Sequence, residues 1–218
     1  MSYTPVDFEV LLATLAAANV PIVSLDALLA TETMSGVALT FDDGMRSVFD
    51  VAFPILRQYR APAHLFLHTG AVEGTATGAS AYPMLNWDQI NRLAEGGVVI
   101  ESHTHSHRDL RALSDSEIDA ECAMGDTLIE RHVGRRPQYF AYPFGYCSDR
   151  VAERIGARYV AAFTARLGFL STRTTRSQLP RVDAHYLRGM FARLPLTKPS
   201  LRAYLICRKV LRKIRGSE

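Results

Sequence analysis

Residues 36–44 read GVALTFDDG: an apolar run that stops on two adjacent carboxylates, Asp42 and Asp43, and a glycine. A short apolar run bounded by glycine reads as a buried strand. Two like charges at its end repel each other, so the pair calls for something positive to meet it. Two later runs end in similar fashion. VVIESHTHSH, residues 98–107, leaves a buried strand for three alternating histidines, and QYFAYPFG, residues 138–145, ends in an aromatic-Pro-aromatic-Gly turn.

Helical patterns lie around these strands. Thr4-Pro5 is an N-cap followed by proline at the first helical position, and Phe8, Leu11, Leu12 and Leu15 carry helical spacing over 5–18. SVFDVAFPILRQY (47–59) reads as a helix with Pro54 inside it, and NWDQINRLAEGG (86–97) as one ended by Gly96-Gly97. Ser114 and Glu117 form a capping box ahead of a helix reaching about His132, and SDRVAERIG (148–156) is a further helix. PIVSL (21–25), AHLFLHT (63–69), YVAAFT (159–164) and LPRVDAH (179–185) read as the remaining strands, and the Gly-, Ala- and Thr-rich stretch 70–83 as a mobile loop.

Strands alternating with helices predict parallel strands joined by right-handed crossovers. An eight-fold barrel takes ~250 residues, and this chain has 218. The expectation is a single α/β domain over 1–195, a deformed, incomplete (β/α) barrel of six to seven parallel strands, followed by a basic amphipathic helix over 196–218. Chemistry in such folds gathers where strands end, so the acid pair, the histidines and the YPFG turn are expected on one rim.

Composition narrows the class. A hydrophobic share of 48% with 22% charged residues is that of a soluble globular protein. No apolar run reaches the ~18 residues of a membrane span. The N-terminus carries Asp7 and Glu9 without a basic cluster, which does not read as a secretory signal. Three widely spaced cysteines, Cys122, Cys147 and Cys207, speak against a disulfide framework or a cysteine metal site, and for a reducing, cytoplasmic setting. Residues 1–197 hold 18 basic and 21 acidic residues, whereas 198–218 hold seven basic and one acidic. The body therefore gives no sign of a nucleic-acid partner. The tail reads either as a helix packed on the barrel with a solvated basic face, or as a peripheral contact with the inner face of a membrane.

His103 and His107 stand four apart and face one side if the segment makes a helical turn; His105 then points away and is structural. Two imidazoles and one carboxylate make a facial set for a divalent cation, leaving the second acid free as a base on water. Tyr82 and Trp87 flank the loop and offer either sugar stacking or core packing.

TFDDG, SHTHSH and FAYPFG, in that order and spacing, resemble the motifs of the NodB-homology polysaccharide deacetylases, carbohydrate esterase family four. PVDFEVLLATLAAANVPIVSLDALLA resembles the leader before the acid pair in exopolysaccharide-type members. The resemblance implies a deformed barrel, a divalent metal, zinc foremost with nickel or cobalt as alternatives, and removal of acetyl groups from N-acetylated carbohydrate carried on a polymer, an oligomer or a lipid. It implies Asp42 as base, Asp43, His103 and His107 as metal ligands, Thr104 as a brace of the histidine loop, and Phe144 as the source of an oxyanion-hole N–H. The family's arginine in the third motif is replaced here by Ala141, so Arg181 is the expected substitute that steadies the base. The family's aspartate-tryptophan motif is missing, and no histidine precedes His64. For the proton donor, position favours His185 first and His68 second. The same metal site would also serve hydrolysis of a non-sugar amide, or survive in a glycan-binding protein without turnover.

Overall fold

The structure, a computed structural model, describes residues 3–30, 36–74, 82–189 and 199–214. Helices α1 (Pro5–Ala17) and α2 (Leu25–Ala30) precede β1 (Leu39–Phe41). Then come α3 (Phe53–Tyr59), β2 (Ala63–Leu67), α4 (Thr69–Val72), α5 (Trp87–Glu95), β3 (Val98–Ser102), α6 (Asp115–Val133), β4 (Tyr139–Ala141), α7 (Asp149–Gly156), β5 (Ala161–Leu167), β6 (Leu179–Arg181) and α8 (Pro199–Ile214). The six strands form one sheet in sequence order, every neighbouring pair parallel. The sheet curls into a half-barrel with helices around it, as the alternation of elements predicts.

Local chemistry explains where the helices begin. Thr4 Oγ1 accepts the Asp7 N–H with Pro5 at the first turn. Ser114 and Glu117 make the expected reciprocal capping box, and Asn86 with Gln89 makes a second. Each cap takes up N–H groups that the first turn leaves bare, worth ~1 kcal/mol. Pro54 sits inside a continuous helical segment, as the sequence suggests, directly after a change in helix type. The segment opens with a π-turn, Val48–Ala52, closed by Phe53 N–H on the Val48 carbonyl, and α3 restarts at Phe53. Pro54 has no N–H to give the preceding turn, and the π-turn just before it is where the ladder departs from α spacing.

β2 and β4 are buried along their whole length, and period-two alternation divides the strand residues between two layers. Leu65 and Leu67 of β2 and Val98 and Ile100 of β3 face outward, against Leu12 of α1, Ile55 of α3 and Ile90 of α5. Phe140 and Ala162 pack against Ile118 of α6 and Val151 of α7. Phe66, Tyr139, Ala141, Phe163 and Leu179 fill the barrel interior, where α2 contributes Leu25 and Leu29. Because Leu25 meets His64 and Asp26 meets Tyr139, both at strand beginnings, α2 plugs the end of the barrel opposite the rim.

β1 and β6 are sheet edges that never pair. Near this gap α1, β5 and α8 pack together through Leu11, Leu15, Leu167, Leu201 and Leu205. One face of α8 is thus packed, while Ile206, Val210 and Leu211 face outward beside Arg202 and Lys209. The expected domain boundary at 195/196 and residues 75–81 of the Gly-, Ala- and Thr-rich loop lie outside the described residues. Two expected strands are shorter than they read. PIVSL keeps only a bridge between Ile22 and Val37, and the last strand stops at Arg181 before a 3₁₀ turn over Ala184–Leu187.

Candidate active site

The acid pair leaves β1 through a left-handed turn. Asp43 has φ 70° and Gly44 φ 87°. A Cβ on Gly44 would also stand 2.5 Å from Leu67 Cδ1, so both conformation and space require glycine. The turn sends the two carboxylates to different partners. Asp42 meets Arg181 of β6 in a bidentate pair, Nη1 to Oδ1 at 2.8 Å and Nη2 to Oδ2 at 2.7 Å. Arg181 also donates to Thr40 Oγ1 and to the Thr164 carbonyl, both at 3.3 Å. One guanidinium therefore ties the unpaired edges β1 and β6 together and orients Asp42. Burial would raise the Asp42 pKa, but the charge and hydrogen bonds of Arg181 outweigh it and hold the carboxyl below its ordinary range.

Asp43 turns toward the histidines. Its Oδ1 lies 3.3 Å from His103 Nε2 and 3.4 Å from His107 Nε2. Hydrogen bonds from His103 and then His107 hold its pKa well below the usual carboxylate range. His103 Nδ1 donates to the Ala141 carbonyl at 2.7 Å, which orients the ring and makes Nε2, the atom facing Asp43, the nitrogen available to a cation.

The histidine segment is not the helical turn expected from the spacing. It is an irregular loop in which Thr104 (φ 68°) and His107 (φ 57°) take left-handed backbone, strained for a β-branched threonine. The loop is braced from several sides. Thr104 Oγ1 accepts the His107 N–H at 3.1 Å, and Glu121 of α6 accepts the N–H groups of His105 at 3.2 Å and Ser106 at 2.8 Å. Gly125 lets α6 approach: a Cβ there would sit 3.1 Å from the Thr104 oxygen. His105 shares a 2.9 Å hydrogen bond with Thr69 Oγ1, in keeping with a structural role.

These three side chains fit a cation. Two ligand atoms ~2.0–2.1 Å from a tetrahedral zinc stand ~3.3–3.4 Å apart, the separations seen from Asp43 to each imidazole. Two imidazoles and a carboxylate are also the donor set that zinc and related first-row ions favour, with positions left over. Among the described residues, Asp43, His103 and His107 are the one group of three such side chains whose ligand atoms all lie within 4.8 Å of one another.

The YPFG turn adds the third wall. Phe144 (φ 58°) and Gly145 (φ 71°) are both left-handed, and a Cβ on Gly145 would stand 2.1 Å from Ala165 Cβ. The turn sets the Phe144 ring 4.6 Å from that of His107.

The two histidines expected to donate protons fare differently. His185 sits in the 3₁₀ turn after β6, its Nε2 3.1 Å from Arg188 Nη2 and its ring edge-on to Tyr186; no described contact joins it to the acid pair or to His103 and His107. His68 lies against them, 5.2 Å ring to ring from His107, buried to 8% exposure, its Nδ1 without a protein partner. Burial, then the charges of His107 and His103, push its pKa down to about 4. Trp87 stacks on His132 at 4.1 Å and donates Nε1–H to Glu73, which is packing rather than an open sugar platform; Tyr82 is exposed. Glu121 was missed by motif reading. Its signal is its place on the α6 stripe that also carries Ile118, Cys122 and Gly125, a face where an acid has to have a partner.

Comparison with known proteins agrees with this geometry. The chain is 26% identical over 161 residues to a poly-beta-1,6-N-acetyl-D-glucosamine N-deacetylase of Staphylococcus epidermidis, a match covering 67% of this chain and 53% of the relative. The chain spans about half the length of the curated relatives it matches. In fold it is similar to the Streptococcus pyogenes deacetylase PplD, with a TM-score of 0.74 at 24% identity over 82% of this chain and 80% of the other. IcaB from Ammonifex degensii gives 0.70 at 24% identity over 95% and 90%. At such identities these two structures speak for the fold alone. The family model "Polysaccharide deacetylase" matches residues 30–160, from the end of α2 through β4 and across the acid pair, His103 and His107. The chain belongs to the polysaccharide deacetylase family.

Proposed function

We propose that this protein is a metal-dependent hydrolase that removes acetyl groups from the N-acetylated sugars of a saccharide. Asp43, His103 and His107 would hold a divalent cation, with zinc the best match to the donor set. When bound, the cation polarises an acyl carbonyl and acidifies water.

The chain's own groups supply the rest. Asp42 is kept ionised by Arg181, and its carboxylate takes the proton of the attacking water. The bidentate pairing also fixes the plane of that carboxylate, so little reorientation accompanies the transfer. As the acetyl carbon becomes tetrahedral, the Phe144 N–H donates to the developing oxyanion. The amine must leave with a proton, since an amide anion is a poor leaving group; His68 is the further imidazole that stands against the site.

The observation that carries this reading is the opposite assignment of two neighbouring acids, Asp43 to the imidazoles and Asp42 to a guanidinium. A mere turn would not separate them so. The test is acetate release from β-linked N-acetylglucosamine oligomers by the zinc-loaded native protein and by Asp42→Asn. Loss of a general base should lower kcat by about 10²–10⁴ while zinc binding persists. Native-level turnover in Asp42→Asn would remove Asp42 from the chemistry, and no release by native protein from any oligomer would remove the substrate class.

A further inference from the structure

The rim exposes more aromatic surface than the chemistry uses. Phe144 is 55% exposed and Tyr146 46%. Left-handed backbone at Phe144 and Gly145 turns the first ring out of the core, edge-on to His107. Tyr146 follows 5.8 Å from Phe144 and tilted by 35°. Arg111 lies over Tyr146 with its guanidinium carbon 4.1 Å from the ring centre. Asp109 fixes it in turn, accepting from Nε at 3.0 Å and from Nη2 at 2.8 Å. Large apolar rings left in water next to a reactive site are unfavourable unless something covers them.

We propose that Phe144, Tyr146 and Arg111 form a shelf that binds the sugar adjoining the one deacetylated. This rests on the saccharide substrate proposed above. A pyranose presents a face of C–H bonds that stacks on an aromatic ring, and its hydroxyls accept hydrogen bonds from a guanidinium. The occupant follows from continuity: the His107 ring touches both the metal-ligand group and Phe144, so a chain with one sugar at the acid pair has its next sugar over the shelf. The charge argument points the same way. Asp109 neutralises Arg111, so the shelf suits an uncharged sugar rather than one bearing a carboxylate or phosphate. Arg111 covers one face of Tyr146 and stiffens it, leaving Phe144 and the edge of Tyr146 as the open surface.

Calorimetric binding of β-1,4- and β-1,6-linked N-acetylglucosamine tetramers, in an Asp42→Asn background that stops turnover, tests this. Tyr146→Ala should raise the Kd of the bound tetramer about tenfold, Arg111→Ala several-fold, and Tyr146→Phe less than twofold, because the ring is retained. Should Tyr146→Ala not fold, Arg111→Ala carries the comparison. Unchanged affinity in the alanine variants, or no tetramer binding by the parent, overturns the shelf. Parallel acetate assays keep the two proposals apart: tetramer binding that Tyr146→Ala weakens, without release by native protein, sinks deacetylation but not the shelf, whereas release with unaltered affinity sinks the shelf alone.

Discussion

Two histidine–carboxylate groupings occupy this half-barrel, and they are wired in opposite ways. At the rim, the Nε2 atoms of His103 and His107 converge on one oxygen of Asp43, which is still partly exposed. Deep in the barrel, His64 and Glu101 are fully buried, with Nδ1 and Oε1 3.5 Å apart. There backbone takes the other lone pairs, save that Arg135 Nη1 also lies 3.5 Å from Glu101 Oε1. His64 Nε2 accepts the Leu25 N–H at 2.9 Å, and Glu101 Oε2 accepts those of Gln138 at 2.8 Å and Tyr139 at 2.9 Å. The reason lies in the sheet. β3 and β4 share a single register pair, Ser102 with Phe140; the Glu101 carboxylate supplies acceptors where the ladder offers none. The same residue types thus make a lock when backbone donors consume their lone pairs, and a candidate site when imidazole nitrogens and a carboxylate oxygen converge on one point.

The contrast predicts its largest effect at the lock. Glu101→Ala strips acceptors from two buried N–H groups and the partner from His64, and should lower unfolding free energy by about 3–5 kcal/mol. At the rim, Asp43→Asn in metal-free protein should cost less than about 1 kcal/mol, since asparagine tolerates the left-handed backbone. Urea midpoints at constant m-value measure both. Equal losses at the two places would erase the distinction between lock and site.

Arg181 belongs to both worlds, because it orients an acid at the rim and joins two strand edges. Arg181→Met should lower kcat by about 10², roughly 2.7 kcal/mol. It should also move the acid limb of the pH profile. Arg181 lowers the Asp42 pKa against the opposing effect of burial. Without it that pKa rises, so the ionised base, present above its pKa, is lost at a higher pH as the solution is acidified. A fall in kcat with an unmoved acid limb would leave Arg181 a strand tie that does not tune Asp42.

Much of this was legible from strand endings. An apolar run halting at Asp42-Asp43, another at His103 and a third at Tyr142 force parallel strands to share a rim, and the structure has them do so. The spacing predicts the histidine pairing through a helical turn, yet left-handed Thr104 and His107 bring the rings together in a loop. Spacing reports that two side chains can meet, not the backbone that makes them meet. Sequence position favours His185 over His68, but a strand end locates a residue without saying where its ring points. β6 stops at Arg181 and the following turn engages His185 with Arg188. Glu101 stays hidden because it serves backbone donors that have no sequence signature of their own, and Glu121 shows only as an acid on the buried stripe of α6.

Glu121 offers the finer test of the comparison, since it is a lock built around a site. Its carboxylate collects the His105 and Ser106 N–H groups and the Ser106 hydroxyl, the last at 2.5 Å, and so holds the strained loop that presents His103 and His107. Glu121→Gln keeps the size and one acceptor oxygen but loses the charge that strengthens all three bonds. Without metal, the half-buried position should cost only about 1 kcal/mol in a urea titration. Zinc affinity should fall further, by about 10–100-fold, as for other groups that orient metal ligands from behind. A larger loss in metal affinity than in stability means that the brace acts on the loop's geometry. Matching losses would mean that Glu121 holds α6 to the barrel and the histidines merely follow.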